Sequence, residues 1–227
     1  MGQFADLGAV IPALNAEAHL GACLAAIAGA GEVLVVDGGS RDGTVALARR
    51  HGARVLAARP GRGGQLAAGI AATRAPWLLL LHADTRLDPG WRAAAADFME
   101  HPLRGTCAGY FRLVLDSAHP WARRLERIVA WRSRTLGLPY GDQGLLLSRG
   151  LLDRIGGMRP LPLMEDVDLV RRIGRGRLLA LDAAAVTSAA RWERDGWGRR
   201  SARNLTCLGL YFLGVPPERL ARFYDRR

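Results

Sequence analysis

The stretch Leu78–Asp84, which reads LLLLHAD, decides the fold class because an apolar run ends there at a histidine and an aspartate. Pro76 precedes the run and Thr85 follows it, so the four leucines are predicted to form a short buried strand. In an open α/β sheet, ligands bind just beyond the carboxyl ends of the strands. A carboxylate at Asp84 can therefore hold a divalent cation, which can in turn hold a diphosphate. The alternative is that Asp84 only caps a turn.

The first ninety residues or so alternate between apolar strands and helical segments. Four strands are predicted, at 9–11, 32–36, 53–57 and 77–81, with helix-like spacing of apolar residues between them. This order predicts a mainly parallel sheet with right-handed crossovers and flanking helices, that is, an α/β fold. Side chains that follow different strands are then expected to meet at one edge of the sheet.

The second strand runs into the loop Asp37-Gly38-Gly39, and three hydroxyl or acidic residues follow within five positions. Glycines let the backbone approach a ligand closely, and Asp37 at the strand end can accept hydrogen bonds from a base or ribose. For Asp42, farther along the loop, we favour a turn and helix-capping role.

The third strand leads into a glycine-rich, arginine-bearing loop, which includes Arg62 and Gln65. Such a loop at a helix start is either an anion site or a flexible connection. The first strand is not followed by Gly-x-Gly-x-x-Gly, and the sequence contains no lysine. A dinucleotide-binding motif and a Walker-type loop are therefore excluded.

Two later clusters carry chemistry. Glu165 and Asp166 open a predicted helix, where acids suit the helix dipole, although the dipole does not explain two adjacent acids after an apolar methionine. Arg191-Trp192 is either a phosphate-binding pair, since arginine binds phosphate in a bidentate manner, or a surface arginine beside a packed tryptophan.

These motifs together resemble the family 2 nucleotide-sugar glycosyltransferases. The resemblance is carried by an ordered set: Pro12-x-x-Asn15-x-Glu17, Asp37-Gly-Gly-Ser-x-Asp42-Gly-Thr, His82-Ala-Asp84, Gly141-Asp142-Gln143, Met164-Glu165-Asp166 and Arg191-Trp192. Within the family, the chain looks closest to a short bacterial subgroup labelled radical-SAM or selenodomain-associated transferases. The resemblance implies one domain of the GT-A type over residues 1–227, with a nucleotide-binding half to about residue 90 and an acceptor and catalytic half beyond it.

The resemblance also implies an activity and residue roles. It implies inverting transfer of a sugar from a nucleoside-diphosphate donor to a hydroxyl acceptor, with Asp166 as general base, Glu165 beside it, and Mn²⁺ or Mg²⁺ held by Asp84 and His82. Donor-binding roles fall on Pro12, Asn15, Glu17, Asp37, Gly38, Gly39, Arg62, Gln65, Asp84, Asp142, Arg191 and Trp192. The alternatives are a sugar-nucleotide binding protein and a nucleotidyltransferase-like enzyme on a similar fold.

The sequence departs from the family pattern at three positions, one of which is Ala67, where many members carry asparagine after the arginine loop. Ala16 separates the usual Asn-Glu pair, and His82 replaces the first aspartate of the usual Asp-x-Asp metal motif. Imidazole binds Mn²⁺ acceptably and Mg²⁺ poorly, so His82 either prefers Mn²⁺ or only shapes the turn.

Charge and composition bear on partners. The formal net charge is +11, and every basic residue apart from histidine is arginine, which favours phosphates or anionic lipid. The predicted helix after Pro120 is basic and amphipathic, so it either packs on its own sheet or contacts an anionic membrane. No basic-aromatic platform indicates nucleic-acid binding. Three scattered cysteines and the lack of any apolar run of ~18 residues predict a cytoplasmic protein, with peripheral contact at the inner membrane face as the variant.

Overall fold

The computed structural model describes residues 4–224, and these fold into an eight-stranded sheet flanked by helices. The strands are β1 (Leu7–Ala13), β2 (Glu32–Asp37), β3 (Arg54–Ala57), β4 (Trp77–Leu80), β5 (Thr85–Leu87), β6 (Ala108–Asp116), β7 (Leu145–Ser148) and β8 (Leu178–Ser188). The α-helices are α1 (Glu17–Ala26), α2 (Thr44–Arg50), α3 (Arg62–Ala72), α4 (Trp91–Glu100), α5 (Pro120–Leu136), α6 (Arg149–Arg154), α7 (Glu165–Ile173), α8 (Ala190–Asp195), α9 (Trp197–Phe212) and α10 (Pro217–Tyr224).

The strand order across the sheet is β3-β2-β1-β4-β7-β6-β8-β5. The first four strands are parallel, as predicted, and β6 is parallel to β8. The sheet is mixed because β7 is antiparallel to both β4 and β6, and β5 is antiparallel to β8. The mainly parallel α/β fold predicted from the sequence is confirmed.

The run Leu78–Leu81 is apolar throughout because both faces of the sheet are covered there. Leu79 and Leu81 pack into the core on one face, which also contains Trp91, whereas Leu78 and Leu80 pack into the core on the other. Successive side chains of a strand point to opposite faces, so a strand covered on both sides reads as a continuous apolar run.

The first strand is longer than predicted. It continues through Pro12 to Ala13, although proline was expected to stop it at Ile11. Because β4 pairs with β1 only as far as Val10, Pro12 has a paired strand on one side, at Val36 of β2. A proline at such a position costs little in ladder hydrogen bonds.

The later strands also differ from prediction. Leu178–Ser188 is one strand, with a register shift opposite Tyr110 and Arg112, although its sequence predicts two short strands at 178–181 and 186–188. The short strand Thr85–Leu87 was not predicted, since three residues are too few for a periodic signal.

The amphipathic helix α5 packs on the sheet and also presents apolar side chains to solvent. Ala122 and Val129 are buried against Leu113 and Leu115 of β6. The packing interpretation of this helix is thus confirmed, and lipid contact stays a prediction. None of the helices within residues 4–224 combines the length and hydropathy needed to cross a bilayer. The division of the chain into two functional halves also stays a prediction.

Candidate active site

Side chains of the motif Pro12-x-x-Asn15-x-Glu17 hydrogen-bond the loop after β1 to the loop after β2, and these two are the laced loops. The Asn15 carboxamide oxygen accepts a hydrogen bond from the Arg41 backbone N–H at 2.9 Å, and the Ser40 hydroxyl accepts one from the Asn15 N–H at 2.8 Å. Glu17 accepts the Gly43 N–H at 2.8 Å. Asn15 has a φ of 49°, which is uncommon for a residue with a side chain. Asn15 and Glu17 therefore fix the shape of the second loop.

Asp37 lies at the carboxyl end of β2 and is 7% exposed. Its carboxylate accepts backbone N–H groups from Gly39 at 3.0 Å and from Ser40, together with the Ser40 hydroxyl. Gly39 has a φ of 93°, which glycine adopts readily. A Cβ at Gly38 would lie 3.2 Å from the side-chain nitrogen of Gln65, so the loop backbone passes close to α3. Asp37 thus holds the glycine loop in a tight turn.

Gln65 has a structural role that the sequence did not indicate. Its side-chain nitrogen donates to the carbonyl oxygens of Ala13 at 2.9 Å and Val36 at 2.6 Å, and its oxygen accepts the Gly61 N–H. The amide joins the ends of β1 and β2 beneath the glycine loop. With its nitrogen and its oxygen engaged in these hydrogen bonds, Gln65 supports the loop.

A cavity of about 260 Å³ opens beside the carboxyl end of β4. It brings together residues that are far apart in the chain, among them the predicted site residues Arg62, His82, Asp84, Asp142, Asp166, Arg191 and Trp192. Asp84 lies just after β4, and its Oδ2 is 3.9 Å from a guanidinium nitrogen of Arg191. The cavity therefore combines carboxylates with arginines at the sheet edge where ligands of such folds bind.

The helix α7 begins at the two acids that the sequence singled out. Asp166 accepts the Gly141 N–H at 2.8 Å and the Val167 N–H at 2.8 Å, so its carboxylate is fixed in orientation. Met164, the residue before the helix, has a φ of 63°. A non-glycine residue in this left-handed region is strained, and such strain is concentrated at functional sites.

Glu165 is almost fully buried and forms an ion pair with the Arg62 Nε at 3.1 Å. Neither carboxylate oxygen of Glu165 has a hydrogen-bond partner within the described residues. Burial raises the pKa of Glu165 above its usual range, and the Arg62 charge opposes this shift. Arg62 lines the main cavity, whereas Glu165 does not. Glu165 can therefore hold the Arg62 guanidinium in position from outside the cavity.

Burial also shifts two groups that line the cavity. It lowers the pKa of His82, and the nearby Arg62 charge lowers it further, so the imidazole is neutral at neutral pH. A Cβ at Gly141 would overlap the His82 ring, so Gly141 keeps room for it. Burial raises the pKa of Asp142 to about 6, and its Oδ1 is buried without a hydrogen-bond partner in the described part of the chain.

The structure separates the predicted site residues into two groups. The first group lines the cavity. The second group lies outside the cavity lining, in or under the laced loops, and consists of Pro12, Asn15, Glu17, Asp37, Gly38, Gly39 and Gln65. Both groups are at the carboxyl edge of the parallel strands, because β1 and β2 end beside each other there. Their roles in donor binding, and those of Arg62, Asp84 and Asp142, stay predictions.

Sequence reasoning missed several residues of the cavity wall. The Arg132 guanidinium lies 3.3 Å from the ring centroid of Tyr140, and both line the cavity. Trp197, Arg200 and Asn204 reach it from α9. Arg132 was detectable, because it lies eleven residues after Trp121 on the same helix face. The contribution of α9 depends on tertiary packing and has no local signal.

Comparison with known proteins identifies the family of this chain. The family described as glycosyl transferase family 2 matches residues 9–161. An uncharacterized glycosyltransferase of Mycobacterium tuberculosis is 35% identical over 187 residues, covering 77% of this chain and 83% of that protein. A lipopolysaccharide core biosynthesis glycosyltransferase of Rhizobium meliloti is 37% identical over 92 residues, 38% of this chain and 34% of its own length.

Solved structures share the fold. The glucosyl-3-phosphoglycerate synthase of Mycobacterium tuberculosis, in complex with Mn²⁺ and uridine-diphosphate-glucose, superposes with a TM-score of 0.58 at 20% identity. The match covers 82% of this chain and 72% of the synthase, and it confirms the GT-A type fold. From the family match and the 35% identical relative, we conclude that this chain belongs to glycosyltransferase family 2 and is a glycosyltransferase.

Proposed function

We propose that this protein transfers a sugar from a nucleoside-diphosphate donor to a hydroxyl acceptor, with inversion at the anomeric carbon. The observation that carries the proposal is one cavity lined by Asp84, Asp166, Arg62 and Arg191 at the carboxyl edge of the sheet. The synthase of the same fold was solved with Mn²⁺ and uridine-diphosphate-glucose, which supports a nucleotide-sugar donor and a divalent cation here. Peripheral contact with anionic lipid through α5 is part of the proposal and is argued below.

The residues present fit a cation bound together with a diphosphate. Within residues 4–224, no group of three or more His, Cys, Asp or Glu side chains is arranged to hold a metal alone. Mg²⁺ in such sites needs only one or two carboxylates, because substrate phosphates and water supply the remaining ligands. The Asp84 carboxylate faces the cavity with Arg191 at 3.9 Å, and the neutral His82 imidazole lies two residues away. Asp84, with His82, would hold Mn²⁺ or Mg²⁺.

The side chains divide the remaining work. A bound cation would supply Lewis-acid stabilisation of the leaving diphosphate. Arg62 and Arg191 would add positive charge beside the same phosphates, and Glu165 would hold Arg62 in place. Asp166 would take the proton of the acceptor hydroxyl as the hydroxyl oxygen attacks the anomeric carbon. The bond from that carbon to the diphosphate breaks, and the diphosphate leaves with the electron pair. One direct displacement inverts the anomeric configuration.

The test begins by finding a donor. A panel of nucleotide sugars with Mn²⁺ is ranked by the rise in melting temperature, since a ligand that binds only the folded state stabilises it. With that donor, Asp166→Asn is expected to retain binding by calorimetry and to lower sugar release or transfer by about 10²–10⁴-fold. The anomeric configuration of the released sugar, read by NMR, is expected to be inverted.

The matched control is Asp97→Asn, because Asp97 is an exposed carboxylate on α4 outside the cavity lining. This variant should turn over donor at the wild-type rate. Turnover by Asp166→Asn equal to that of the control would contradict the assignment of the base. A retained anomeric configuration would contradict direct displacement.

A further inference from the structure

The cavity continues from the carboxylates outward between α5 and α9. The two helices line it with side chains at identical spacing, 121, 125, 128 and 129 on α5 and 197, 201, 204 and 205 on α9. Positions i, i+4, i+7 and i+8 lie on one face of a helix, so each helix gives one continuous stripe to the wall. The part of the cavity between these two helix faces is the channel.

The channel changes character along its length. Its inner end carries the acids and arginines of the active site, whereas its outer part is lined by Leu125, Val129, Trp197, Trp121, Ile128 and Leu205. The aliphatic side chains among these cannot bond the hydroxyls of a sugar, and the uncharged polar groups that the two stripes add are the indole N–H groups, Ser201 and Asn204. Trp121, Ile128 and Leu205 are 47%, 56% and 64% exposed, although they lie at a cavity mouth.

The loops assigned to the nucleoside of the donor lie outside this space. Among the described residues, none from the laced loops after β1 and β2 lines the channel. Two buried polar atoms of lining residues, the Asn204 Oδ1 and the Trp192 Nε1, have no hydrogen-bond partner in the described part of the chain. Buried polar groups are normally paired, so the Asn204 oxygen would accept a hydrogen bond from a ligand and the Trp192 N–H would donate one to it.

We propose that this channel is the acceptor subsite and that the acceptor is a lipid. Its hydroxyl head group would lie at Asp166, and its aliphatic chain would pass out between α5 and α9. This inference rests on the function proposed above. The volume of about 260 Å³ is close to the lower end of ligand pockets, about 300–1,000 Å³, and suits one chain.

The arginines around the channel mouth indicate that the lipid acceptor comes from an anionic lipid surface. Among the described residues of these helices, the exposed arginines outside ion pairs are Arg124, Arg127 and Arg134 of α5 and Arg199 of α9, whereas Arg123 pairs with Glu126, and Arg200 and Arg203 pair with Asp195. The Arg124 guanidinium lies 4.9 Å from the Trp121 ring centroid, so charge and aromatic ring are side by side at the opening. Basic helices with exposed tryptophan and aliphatic residues bind the boundary of anionic bilayers.

The test uses a soluble lipid probe in the absence of donor. Dihexanoyl phosphatidylglycerol, kept below its micelle concentration, carries both hydroxyls and aliphatic chains, whereas glycerophosphoglycerol carries the head group alone. Because each buried methylene improves affinity about fourfold, the lipid is expected to bind on the order of a hundredfold more tightly than the head group. Dihexanoyl phosphatidylcholine, which lacks the hydroxyls and the net charge, is expected to bind more weakly than the phosphatidylglycerol.

Two variants on one helix form a matched pair. Ile128→Asp places a charge in the channel mouth, and Leu136→Asp places the same charge at an equally exposed position, 52% against 56%, outside the lining. Ile128→Asp is expected to weaken binding of the lipid about tenfold or more, and Leu136→Asp to leave it unchanged. Circular dichroism and melting curves check that both variants fold.

Three results would overturn the inference. Equal affinity for the lipid and for its head group would make the subsite polar. Lipid binding that survives Ile128→Asp would place the apolar contact elsewhere. A dimer that Ile128→Asp dissociates without changing lipid binding would show that a second copy covers this face. Binding of nucleotide and Mn²⁺, measured separately by calorimetry, tells failure of the lipid subsite apart from failure of the transferase assignment.

Discussion

Replacement of Asp142 by asparagine tests whether the site keeps a carboxylate at a cost in stability. Burial raises the pKa of this group from 3.8 to about 6, and its Oδ1 has no hydrogen-bond partner among the described residues. Because the folded-state pKa lies above the unfolded one, the folded protein holds the proton more tightly. Its free energy of unfolding therefore falls as the pH rises from about 4 to about 6, and stays lower at higher pH.

The magnitude follows from the two pKa values. At 1.36 kcal/mol per pKa unit, the difference between 3.8 and about 6 is at most about 3 kcal/mol, and partial exposure of the residue reduces it. Asp142→Asn removes the charge while keeping the shape. The variant is expected to equal the wild type near pH 4 and to be about 1–3 kcal/mol more stable above about pH 7.

Urea unfolding measured from acid to neutral pH, in buffer with EDTA so that no cation binds the site, provides the assay. With an m value of about 2 kcal/mol/M, a gain of about 2 kcal/mol moves the midpoint up by about 1 M. Asp97→Asn, the exposed control, should show no such pH-dependent gain. A constant difference between Asp142→Asn and wild type at every pH would refute the reasoning, because a titrating charge cannot act equally on both sides of its pKa.

Two further predictions concern the support of the site. Gly69 of α3 has no room for a side chain, since a Cβ would overlap the Val10 and Val36 side chains, so Gly69→Ala is expected to lower stability by about 1 kcal/mol or more in urea unfolding. Gly64 of the same helix has open space, and Gly64→Ala should be neutral or stabilising by up to about 1 kcal/mol; equal effects would contradict the packing argument. Gln65→Met removes the side-chain hydrogen bonds to the Ala13 and Val36 carbonyl oxygens, of which that of Ala13 still accepts the Gly38 N–H, and is expected to cost about 1–3 kcal/mol in the same assay; an unchanged midpoint would contradict the bracing role.

Local patterns in the sequence were sufficient to predict the first four strands and the edge of the sheet at which the acids lie. Runs such as Leu78–Leu81 are readable because both faces of the sheet are covered, and the strand ends at Asp37 and Asp84 follow directly. The antiparallel insertion of β7 between β4 and β6 has no such local signal. Its apolar residues read the same in either direction, and only its two neighbours fix its orientation.

The sequence singled out residues that the structure brings to one edge of the sheet, but it did not show what each side chain contacts there. A motif gives residue type and spacing, but it does not show which hydrogen bonds a side chain already makes. Gln65 illustrates the limit, because its amide spans two strands that are separated in sequence by an intervening helix. The wall from α9 illustrates another, since a helix far along the chain contributes only through tertiary packing.

The hydrogen bonds that acidic side chains already accept distinguish residues that hold the loop after β2 from residues whose carboxylates have no backbone donor, although Asp166 both accepts two backbone N–H groups and lines the cavity. Glu17 and Asp37 accept backbone N–H groups of the loop after β2, and that loop keeps its shape through them. Asp84 and Asp142, by contrast, face the cavity with no backbone donor on their carboxylate oxygens among the described residues. Unpaired carboxylates near a cavity are costly unless a cation or a hydroxyl completes them. A bound donor and cation would complete the buried Asp142 carboxylate, so we expect the free protein to lose stability by keeping this charge and to regain that stability on binding.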